Sequence, residues 1–438
     1  MIELAPGWIT VIIFAGILLL MLTGMRIAFA IMIVGLFSLY FFPTRPMLYA
    51  APEAVWGVLN KFSLTATMLF IMMGEFLMRG GIGEDVYHTL DKWLYRLPGG
   101  LAQVNIGACT IFAAVSGSSI ANSATMGVVA APIMESRGYN TKLTYGSIAG
   151  GGTLGILIPP SVIMIIYGAL AEVSVGKLFI AGIIPGIILA FLFMTFIGIW
   201  AMKSPEIAPR PTSSFSWKDR IVSMAYLLPV ILLILAILGG IYGGIATPTE
   251  AAAVGCVVSL GIITARRRFT WELLKKSVME TFLIIGTMHM VVAGASMVGF
   301  VFHYLRIPVH FSESIAQMGL SPLMIYFVIC GMYLLLGMFI DGISILVITI
   351  PIVVPVMSNL GFDPVWIGII LTIVIELALI TPPVGMNLYV LRSVSKEVGL
   401  AEIALGAAPY AGLLLLMLVL LGFFPQLALW LPGQMFGG

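Results

Sequence analysis

Charged side chains are scarce in this sequence: only 9% of its 438 residues are Asp, Glu, Lys or Arg, whereas 61% are hydrophobic. Soluble domains carry about 25% charged residues, so the composition excludes an ordinary soluble domain. The formal net charge of +2 gives no basic surface for a nucleic acid, and no nucleic-acid partner is expected. With a mean hydropathy of +1.13, the chain is predicted to be an all-α polytopic protein of the lipid bilayer.

Cysteine is equally rare, and Cys109, Cys256 and Cys330 lie far apart in separate apolar runs. Such residues form neither a disulfide framework nor a metal site, so we expect them to pack in the core. The N-terminus lacks the basic region of a cleaved signal peptide, and the first apolar run is interpreted as a retained span. Phosphate-binding loops and nucleophile elbows are also missing. We therefore expect a protein without enzyme activity or cofactor, driven by an ion gradient or a separate subunit.

Apolar runs of about 17 to 25 residues, long enough to cross a bilayer, recur along the chain. We predict ten full crossings, near residues 8–24, 27–42, 58–79, 143–170, 178–201, 221–240, 244–265, 277–302, 363–391 and 404–431. Two further apolar stretches, 101–133 and 321–357, are interrupted by polar and glycine residues. We predict that each forms a re-entrant hairpin of two half-length helices, and two ordinary spans joined by a polar loop are the alternative.

Positive charge predicts the orientation, because short loops rich in Lys and Arg stay in the cytoplasm. The linker 202–220 and the loop after Thr264 are both basic, so we place them inside. If each hairpin enters and leaves the membrane on the same side, all other Lys and Arg residues except four are also predicted to be cytoplasmic. These are Arg45, Lys61, Lys177 and Arg306. Both termini are then predicted to be periplasmic, with the two hairpins opening from opposite faces.

Two segments between spans, 82–97 and 303–318, mix charged residues with aromatic ones. This composition is typical of a helix that lies in the membrane interface. A plain solvated loop is the alternative for each segment.

Residues 151–161 (Gly-Gly-Thr-Leu-Gly-Ile-Leu-Ile-Pro-Pro-Ser) interrupt a predicted span with three glycines and two adjacent prolines. Proline has no N–H and blocks a helix, and glycine weakens one. Unpaired backbone at membrane depth is costly unless it lines a cavity or meets an ion. The segment therefore predicts a broken helix that forms part of a binding site.

The sequence also repeats itself at a constant offset of 223 residues. The matching pairs are Pro132 with Pro355, Gly138 with Gly361, Pro159-Pro160 with Pro382-Pro383, and Val175-Gly176 with Val398-Gly399. A second broken helix is therefore predicted at 380–387. With the predicted orientation the two copies form the inverted repeat of a secondary transporter; chance recurrence of Pro and Gly is the alternative.

Side chains with oxygen atoms cluster beside both broken helices, and such atoms are the ligands of sodium in transporters. The first copy supplies Ser116, Ser118, Ser119, Asn122, Ser123 and Thr125, and the second supplies Asp341, Ser344, Thr381 and Asn387. One sodium site per copy is the hypothesis. Packing and hydrogen bonding between helices is the alternative for the serines, whereas a carboxylate such as Asp341 at this depth is usually functional.

Four other ionisable residues are predicted at membrane depth: Glu75, Glu250, His289 and Glu376. Glu250 follows Thr247 by three residues and is expected to cap a helix start. A hydrogen-bonded, packed role is expected for His289. Two roles stay open for Glu376, a relay and a structural partner.

Four motifs occur in order along the chain. They are Gly-Ile-Leu-Ile-Pro-Pro-Ser (155–161), Gly-Gly-Ile-Ala-Thr-Pro-Thr-Glu-Ala-Ala-Ala (243–253), Gly-Met-Phe-Ile-Asp-Gly (337–342) and Thr-Pro-Pro-Val-Gly-Met-Asn (381–387). Together they resemble the large membrane subunit of tripartite ATP-independent periplasmic (TRAP) transporters. The resemblance covers essentially the whole chain.

The resemblance implies a sodium-coupled importer of a small organic anion, of the C4-dicarboxylate, sialic-acid or another carboxylate class, in the bacterial inner membrane. It implies two partners, a small four-helix membrane subunit and a periplasmic substrate-binding protein. Because the chain begins with its own first span, we expect the small subunit to be a separate polypeptide. An elevator mechanism is also implied, in which hairpins and broken helices move as one block, with 82–97 and 303–318 as connecting arms.

The same resemblance assigns roles to individual residues. It implies a first sodium site with Ser116, Ser118, Ser119, Asn122, Gly155 and Pro159, and a second with Gly337, Asp341, Thr381 and Gly385. Ser161 and Asn387 are expected near the substrate. The expected domains are 1–57 (scaffold), 58–201 (first repeat), 202–276 (basic linker and connecting helices) and 277–438 (second repeat). A self-sufficient anion carrier of related fold and an ion channel are the alternatives.

Overall fold

A computed structural model of the chain describes residues 5–43, 45–209, 215–395 and 397–436. Within these ranges all regular elements are helices, and twenty of them are α-helices, which confirms the all-α prediction. Two basic residues used for the orientation, Arg210 and Lys396, lie outside the described residues, as do both chain ends. The three cysteines are buried and unbridged, as expected.

The N-terminal region contains four helices. They are α1 (Pro6–Leu22), α2 (Ile27–Phe41), α3 (Ala50–Leu59) and α4 (Ser63–Arg79). Helices α3 and α4 meet at a bend of 55°, so the predicted span 58–79 was wrong at its start. Helix α2 packs along the longest helix of the chain, α13.

The predicted first repeat, 58–201, includes α4 and the six helices that follow it. These six are α5 (Ile82–Leu94), α6 (Leu101–Ser116), α7 (Ser119–Ser136), α8 (Thr141–Gly152), α9 (Val162–Ala171) and α10 (Val175–Lys203). Helices α8 and α9 are separated by a 3₁₀ turn, Thr153–Gly155, and by six residues without helical structure. The predicted break therefore lies where the glycines and prolines placed it.

Four helices lie between α10 and the second predicted hairpin. They are α11 (Trp217–Tyr242), α12 (Pro248–Ala265), α13 (Trp271–Tyr304) and α14 (Ile307–Gln317). The last of them, α14, together with most of α13 falls in the predicted second repeat, 277–438. Thr247 and Glu250 form a reciprocal capping box at the start of α12, as predicted for Glu250. The segments 82–97 and 303–318 contain the helices α5 and α14, so the loop alternative was wrong for both.

The second copy contains the remaining helices. They are α15 (Pro322–Gly337), α16 (Gly342–Asn359), α17 (Pro364–Leu379), α18 (Met386–Val394), α19 (Leu400–Phe423) and α20 (Gln426–Phe436). Helices α17 and α18 are separated at the predicted second break. The predicted span 404–431 was wrong as one element, because Pro425 follows the end of α19 and α20 begins afresh.

Six helices are long and apolar enough to cross a membrane, or seven if the bent pair α3–α4 counts as one span, within the described residues. Four of them (α10 to α13) match predicted crossings, α19 covers the first part of the predicted span 404–431, and the sixth is α16, which was assigned to a hairpin. Helices α1 and α2 are shorter, with 17 and 15 residues, because Gly24 turns with φ +84° and Pro43 follows α2.

The two predicted hairpins divide at the predicted interruptions. Each arm contains 16 or 18 residues, which is roughly 24–27 Å of helix. The depth to which each hairpin enters the membrane stays a prediction.

Local structure recurs at the 223-residue offset. Ser118 and Asp341 are the N-caps of α7 and α16, and Asn140 and Asp363 are the N-caps of α8 and α17. The glycine after each hairpin, Gly138 or Gly361, has a positive φ of 75° or 90°, a conformation that glycine adopts without a steric penalty. Chance recurrence of Pro and Gly does not explain matched caps and turns. The inverted orientation of the copies stays a prediction.

Helix α5 is tied to the loop after α12 by a compact ion-pair cluster. Asp85 on α5 accepts two hydrogen bonds from the Arg268 guanidinium, at 2.8 and 3.0 Å, and also pairs with Arg266. Arg268 in addition donates to the carbonyl oxygens of Gly80 and Gly81. The hydrogen bonds to Asp85 raise the pKa of Arg268 above its ordinary value.

Candidate functional site

The tip of the first hairpin contacts the first broken segment through the backbone. Ser118 accepts a hydrogen bond from the Ala121 N–H (3.3 Å) and so caps α7, where chain direction reverses. The Val162 N–H, two residues after Pro160, donates to the Gly117 carbonyl oxygen at 3.3 Å. Ser116 ends α6, and its hydroxyl lies 3.5 Å from the Ser118 carbonyl oxygen.

The second tip has the same arrangement with a carboxylate in place of the serine. Asp341 caps α16 by accepting from the Ser344 N–H at 3.0 Å, and it also accepts from the Ser344 hydroxyl. The Val384 N–H, after the second pair of prolines, donates to the Met338 carbonyl oxygen at 3.2 Å. Both copies thus join a hairpin tip to a broken helix by one backbone hydrogen bond.

Each contact depends on a glycine at the point of closest approach. A Cβ on Gly155 would lie 2.7 Å from the Ser118 carbonyl oxygen, so only glycine lets the first break approach its tip this closely. In the second copy the glycine is on the hairpin: a Cβ on Gly337 would lie 2.3 Å from the Ala378 Cβ. Both predicted glycines are therefore packing requirements of the site.

One cavity of about 150 Å³ lies between the two tips. Four predicted site residues line it: Ser116, Ser118, Ser119 and Asp341. Helices α4 and α13 form another part of its wall, with Glu75 and Ile284 among their lining residues. The structure thus brings polar residues of both copies to one place.

Four helices begin at this cavity, which sets its electrostatics. The first residues of α7, α9, α16 and α18 all line it, namely Ser119, Val162, Gly342 and Met386. A helix N-terminus carries partial positive charge and unpaired N–H groups. No Lys or Arg is found among the described residues of the lining, so these termini are its main positive feature.

Both carboxylates that line the cavity accept hydrogen bonds from neighbouring residues. Asp341 caps α16, as described, and Glu75 accepts a hydrogen bond from the Arg79 Nε at 2.8 Å. Arg79 therefore lies beside the cavity. This was not expected, because Arg79 is far from both broken helices in the sequence.

Four other predicted residues lie in or next to the broken segments and do not line the cavity. Pro159 is in the non-helical segment and Gly385, with φ +50°, is the N-cap of α18. Thr381 donates to the Leu377 carbonyl oxygen at 2.6 Å, and Ser161 caps α9 by accepting from the Met164 N–H.

Asn387 is fully buried on α18, and neither atom of its amide has a hydrogen-bond partner among the described residues. Neither Ser161 nor Asn387 lines the cavity, so their predicted proximity to substrate stays a prediction.

Buried oxygen atoms without partners surround the first break. Asn122 donates its amide N–H to the carbonyl oxygens of Cys109 and Gly151, which leaves Oδ1 without a partner in the described part of the chain. The hydroxyl of Ser123 and Oε2 of Glu376 are likewise unpartnered. Unsatisfied buried oxygens are costly, and oxygen is the donor type that a hard cation needs. The donor set therefore fits sodium as a transported ion.

Glu376 is the residue whose role sequence reasoning left open. Its side chain is fully buried, and Oε1 accepts hydrogen bonds from the Ser119 hydroxyl and from the Ile156 N–H. The sequence indicated a special role only through the presence of a carboxylate in an apolar helix. Its hydrogen-bond partners could not be predicted, because they are more than 200 positions away in the sequence. His289 pairs with the Ile285 carbonyl oxygen at 2.9 Å, in agreement with a hydrogen-bonded role.

Comparison with known proteins finds one matching family and several similar relatives. The family described as "Tripartite ATP-independent periplasmic transporter, DctM component" matches residues 14–427. A C4-dicarboxylate TRAP transporter large permease protein of Vibrio cholerae is 32% identical, covering 97% of this chain and 98% of the relative. A sialic acid TRAP transporter permease protein of Haemophilus influenzae is 30% identical, covering 95% of this chain and 67% of the relative.

The fold is also similar to that of a solved structure. The YdaH transporter of Alcanivorax borkumensis superimposes with a TM-score of 0.65, covering 86% of this chain and 87% of that chain. At 14% identity this likeness concerns the fold alone.

Proposed function

The chain belongs to the DctM-component family of TRAP transporters, as a large permease subunit, and from this premise we propose that it imports a small organic anion by sodium coupling. Family membership makes it a multi-pass protein of the bacterial inner membrane and a transporter, with no enzyme activity. The proposed partners are a small four-helix membrane subunit and a periplasmic binding protein that delivers the substrate.

The observation that carries this proposal is the cavity at which four helices begin. Broken helices whose N-termini meet at one point are suited to an anionic substrate, because the unpaired N–H groups face negative charge. A carboxylate in the cavity would meet these N-termini in the first turns of α7, α9, α16 and α18. This electrostatic pattern favours an organic anion over a cation or an apolar substrate.

Sodium would bind beside the same cavity, at the two tips. The Ser118 and Asp341 loops each pack against a broken helix, so an ion held between them would fix tip and break relative to one another. Its positive charge would also strengthen anion binding in the cavity, and by linkage the anion would strengthen sodium binding equally. Reciprocal coupling of this kind is what a symporter requires.

An elevator motion is proposed for the transport step. Hairpins α6–α7 and α15–α16 and both broken helices would move as one block, while α2, α4, α12 and α13 would form the scaffold. Helix α5, anchored by Asp85 to the loop after α12, and α14 would be the connecting arms. Crosslinks between α4 and the α7 tip, which share the cavity wall, would block such a motion.

Reconstitution tests this function. Proteoliposomes with the chain, the small subunit and the binding protein loaded with a candidate anion are expected to accumulate it only under an inward sodium gradient. Omission of either partner is expected to abolish uptake. Uptake by the chain alone would instead establish a self-sufficient carrier, and flux that does not saturate with substrate would establish a channel.

A further inference from the structure

Glu376 has a position that neither packing nor helix stability explains. It lies on α17, which is buried from Val365 to Leu379, and its own side chain has no exposed surface. A charged side chain at such depth is costly and is retained where it has a functional partner. Among the described residues no Lys, Arg or His forms an ion pair with it.

The contacts of Glu376 cross from one copy of the repeat to the other. Its Oε1 accepts from the Ser119 hydroxyl on α7 and, at 3.2 Å, from the Ile156 N–H in the first break. Both donors line the cavity at the first tip. The second oxygen, Oε2, has no hydrogen-bond partner in the described part of the chain.

Two further oxygens near this contact are also unpartnered. Asn122 and Ser123 follow Ser119 by three and four residues on α7, which places all three on one helix face. Asn122 Oδ1 and Ser123 Oγ are buried without partners among the described residues. The Ser123 hydroxyl lies against the first break, since a Cβ on Gly152 would be 1.9 Å from it. Three buried oxygens without partners among the described residues thus lie on the elements that meet at the first break, and oxygen is the ligand type that a hard cation needs.

We propose that Glu376 supplies, from the second copy, the negative charge that balances the sodium ion bound at the first break. The first copy has no carboxylate of its own at the tip, since Ser118 stands where the second copy has Asp341. Sodium bound there would link α17 to α7 and to the first break. Ion binding at the first copy would therefore also stabilise a helix of the second copy. The inference rests on the proposed sodium coupling.

Sodium-dependent thermal unfolding of the purified full-length chain tests this inference without transport. NaCl is exchanged for choline chloride at constant ionic strength, and the sodium concentration at half-maximal stabilisation is measured. Loss of a charge close to the ion in Glu376→Gln is expected to raise this concentration by at least about tenfold. The matched control, Glu250→Gln, makes the same chemical change at the exposed helix cap of α12 and is expected to leave it unchanged.

The possible outcomes distinguish a failure of the role of Glu376 from a failure of the proposed sodium coupling. An unchanged sodium midpoint in Glu376→Gln would overturn the role of Glu376, because a neutral, merely structural carboxyl tolerates the amide. A wild-type chain that sodium does not stabilise at all would instead overturn the sodium coupling of the proposed function.

A second measurement covers the case in which Glu376→Gln does not fold. Hydrogen exchange of the Asp341→Asn chain, whose second site lacks its carboxylate, is compared with and without NaCl. Sodium is expected to slow exchange at Ile156 and along 373–378 of α17 together. Protection of the first break without protection of α17 would contradict the inference.

Discussion

The two copies of the repeat share helix caps, glycine turns and paired prolines but differ in charge. Ser118 and Asp341 occupy equivalent N-caps, and Thr153 and Glu376 occupy equivalent positions in the broken helices. In the first copy both side chains are neutral, and Thr153 only bonds its own helix at the Gly150 carbonyl oxygen. In the second copy both are carboxylates.

The comparison indicates that the two copies can share their local backbone features and still differ in the charged side chains beside the proposed ion sites. Caps, glycine turns and paired prolines recur in both copies, whereas the carboxylates that the proposed sodium sites would use, Asp341 and Glu376, both belong to the second copy. Asp341 serves its own tip, while Glu376 reaches Ser119 of the other. The two sites are therefore expected to respond differently to equivalent substitutions.

The largest effect is expected for Asp341→Asn. Asp341 would be the carboxylate facing the proposed second sodium ion, and loss of a close opposite charge costs about 2 kcal/mol or more, so half-maximal uptake should need about 30-fold more sodium. Ser344→Ala is the matched control, because it removes one hydrogen bond to Asp341 and keeps the charge. Equal sodium dependence of wild type and Asp341→Asn uptake would place the second ion elsewhere.

A large effect is also expected for Gly155→Ala in the first copy. The new Cβ would lie 2.7 Å from the Ser118 carbonyl oxygen, and such overpacking costs roughly 1–3 kcal/mol. Uptake should fall about tenfold, while Gly239→Ala, with no atom within 4 Å of its Cβ, should behave as wild type. Sodium-dependent uptake in proteoliposomes measures both, and wild-type uptake by Gly155→Ala would contradict the close approach.

A moderate effect is expected when the first tip is made like the second. Ser118→Asp keeps the N-cap and, combined with Glu376→Gln, should recover at least about threefold of the lost sodium affinity. The thermal-unfolding midpoint in sodium measures the recovery, with Ser118→Ala in the same background as control. A double variant no better than Glu376→Gln alone would show that charge at the two places is not exchangeable.

The smallest effect is expected at the caps that lie away from the cavity. Asn140→Ala and Asp363→Ala each remove a side chain that accepts two backbone N–H groups, at a cost of about 1 kcal/mol. Both should lower the unfolding temperature and leave the sodium midpoint unchanged. A shift of that midpoint in either variant would mean that the helix starts and ion sites are coupled.

Local backbone signals were predictable from the sequence, because Pro, Gly and capping residues act through their immediate neighbours. They predicted both breaks, the cap by Glu250 and the copy-to-copy register. Helix lengths were less predictable: the bend before Ser63 and the division of the predicted span 404–431 into α19 and α20 were both missed. The contact between Glu376 and Ser119 was beyond sequence reasoning, since only the fold brings α17 against α7.

The most direct test of a transporter with one sodium site in each copy is the sodium dependence of initial uptake by the complete three-component system. Uptake should rise with a Hill coefficient above one in the wild type, and it should reach background when choline or potassium replaces sodium. In Asp341→Asn the coefficient should fall towards one. Uptake that persists at full rate without sodium would contradict the account.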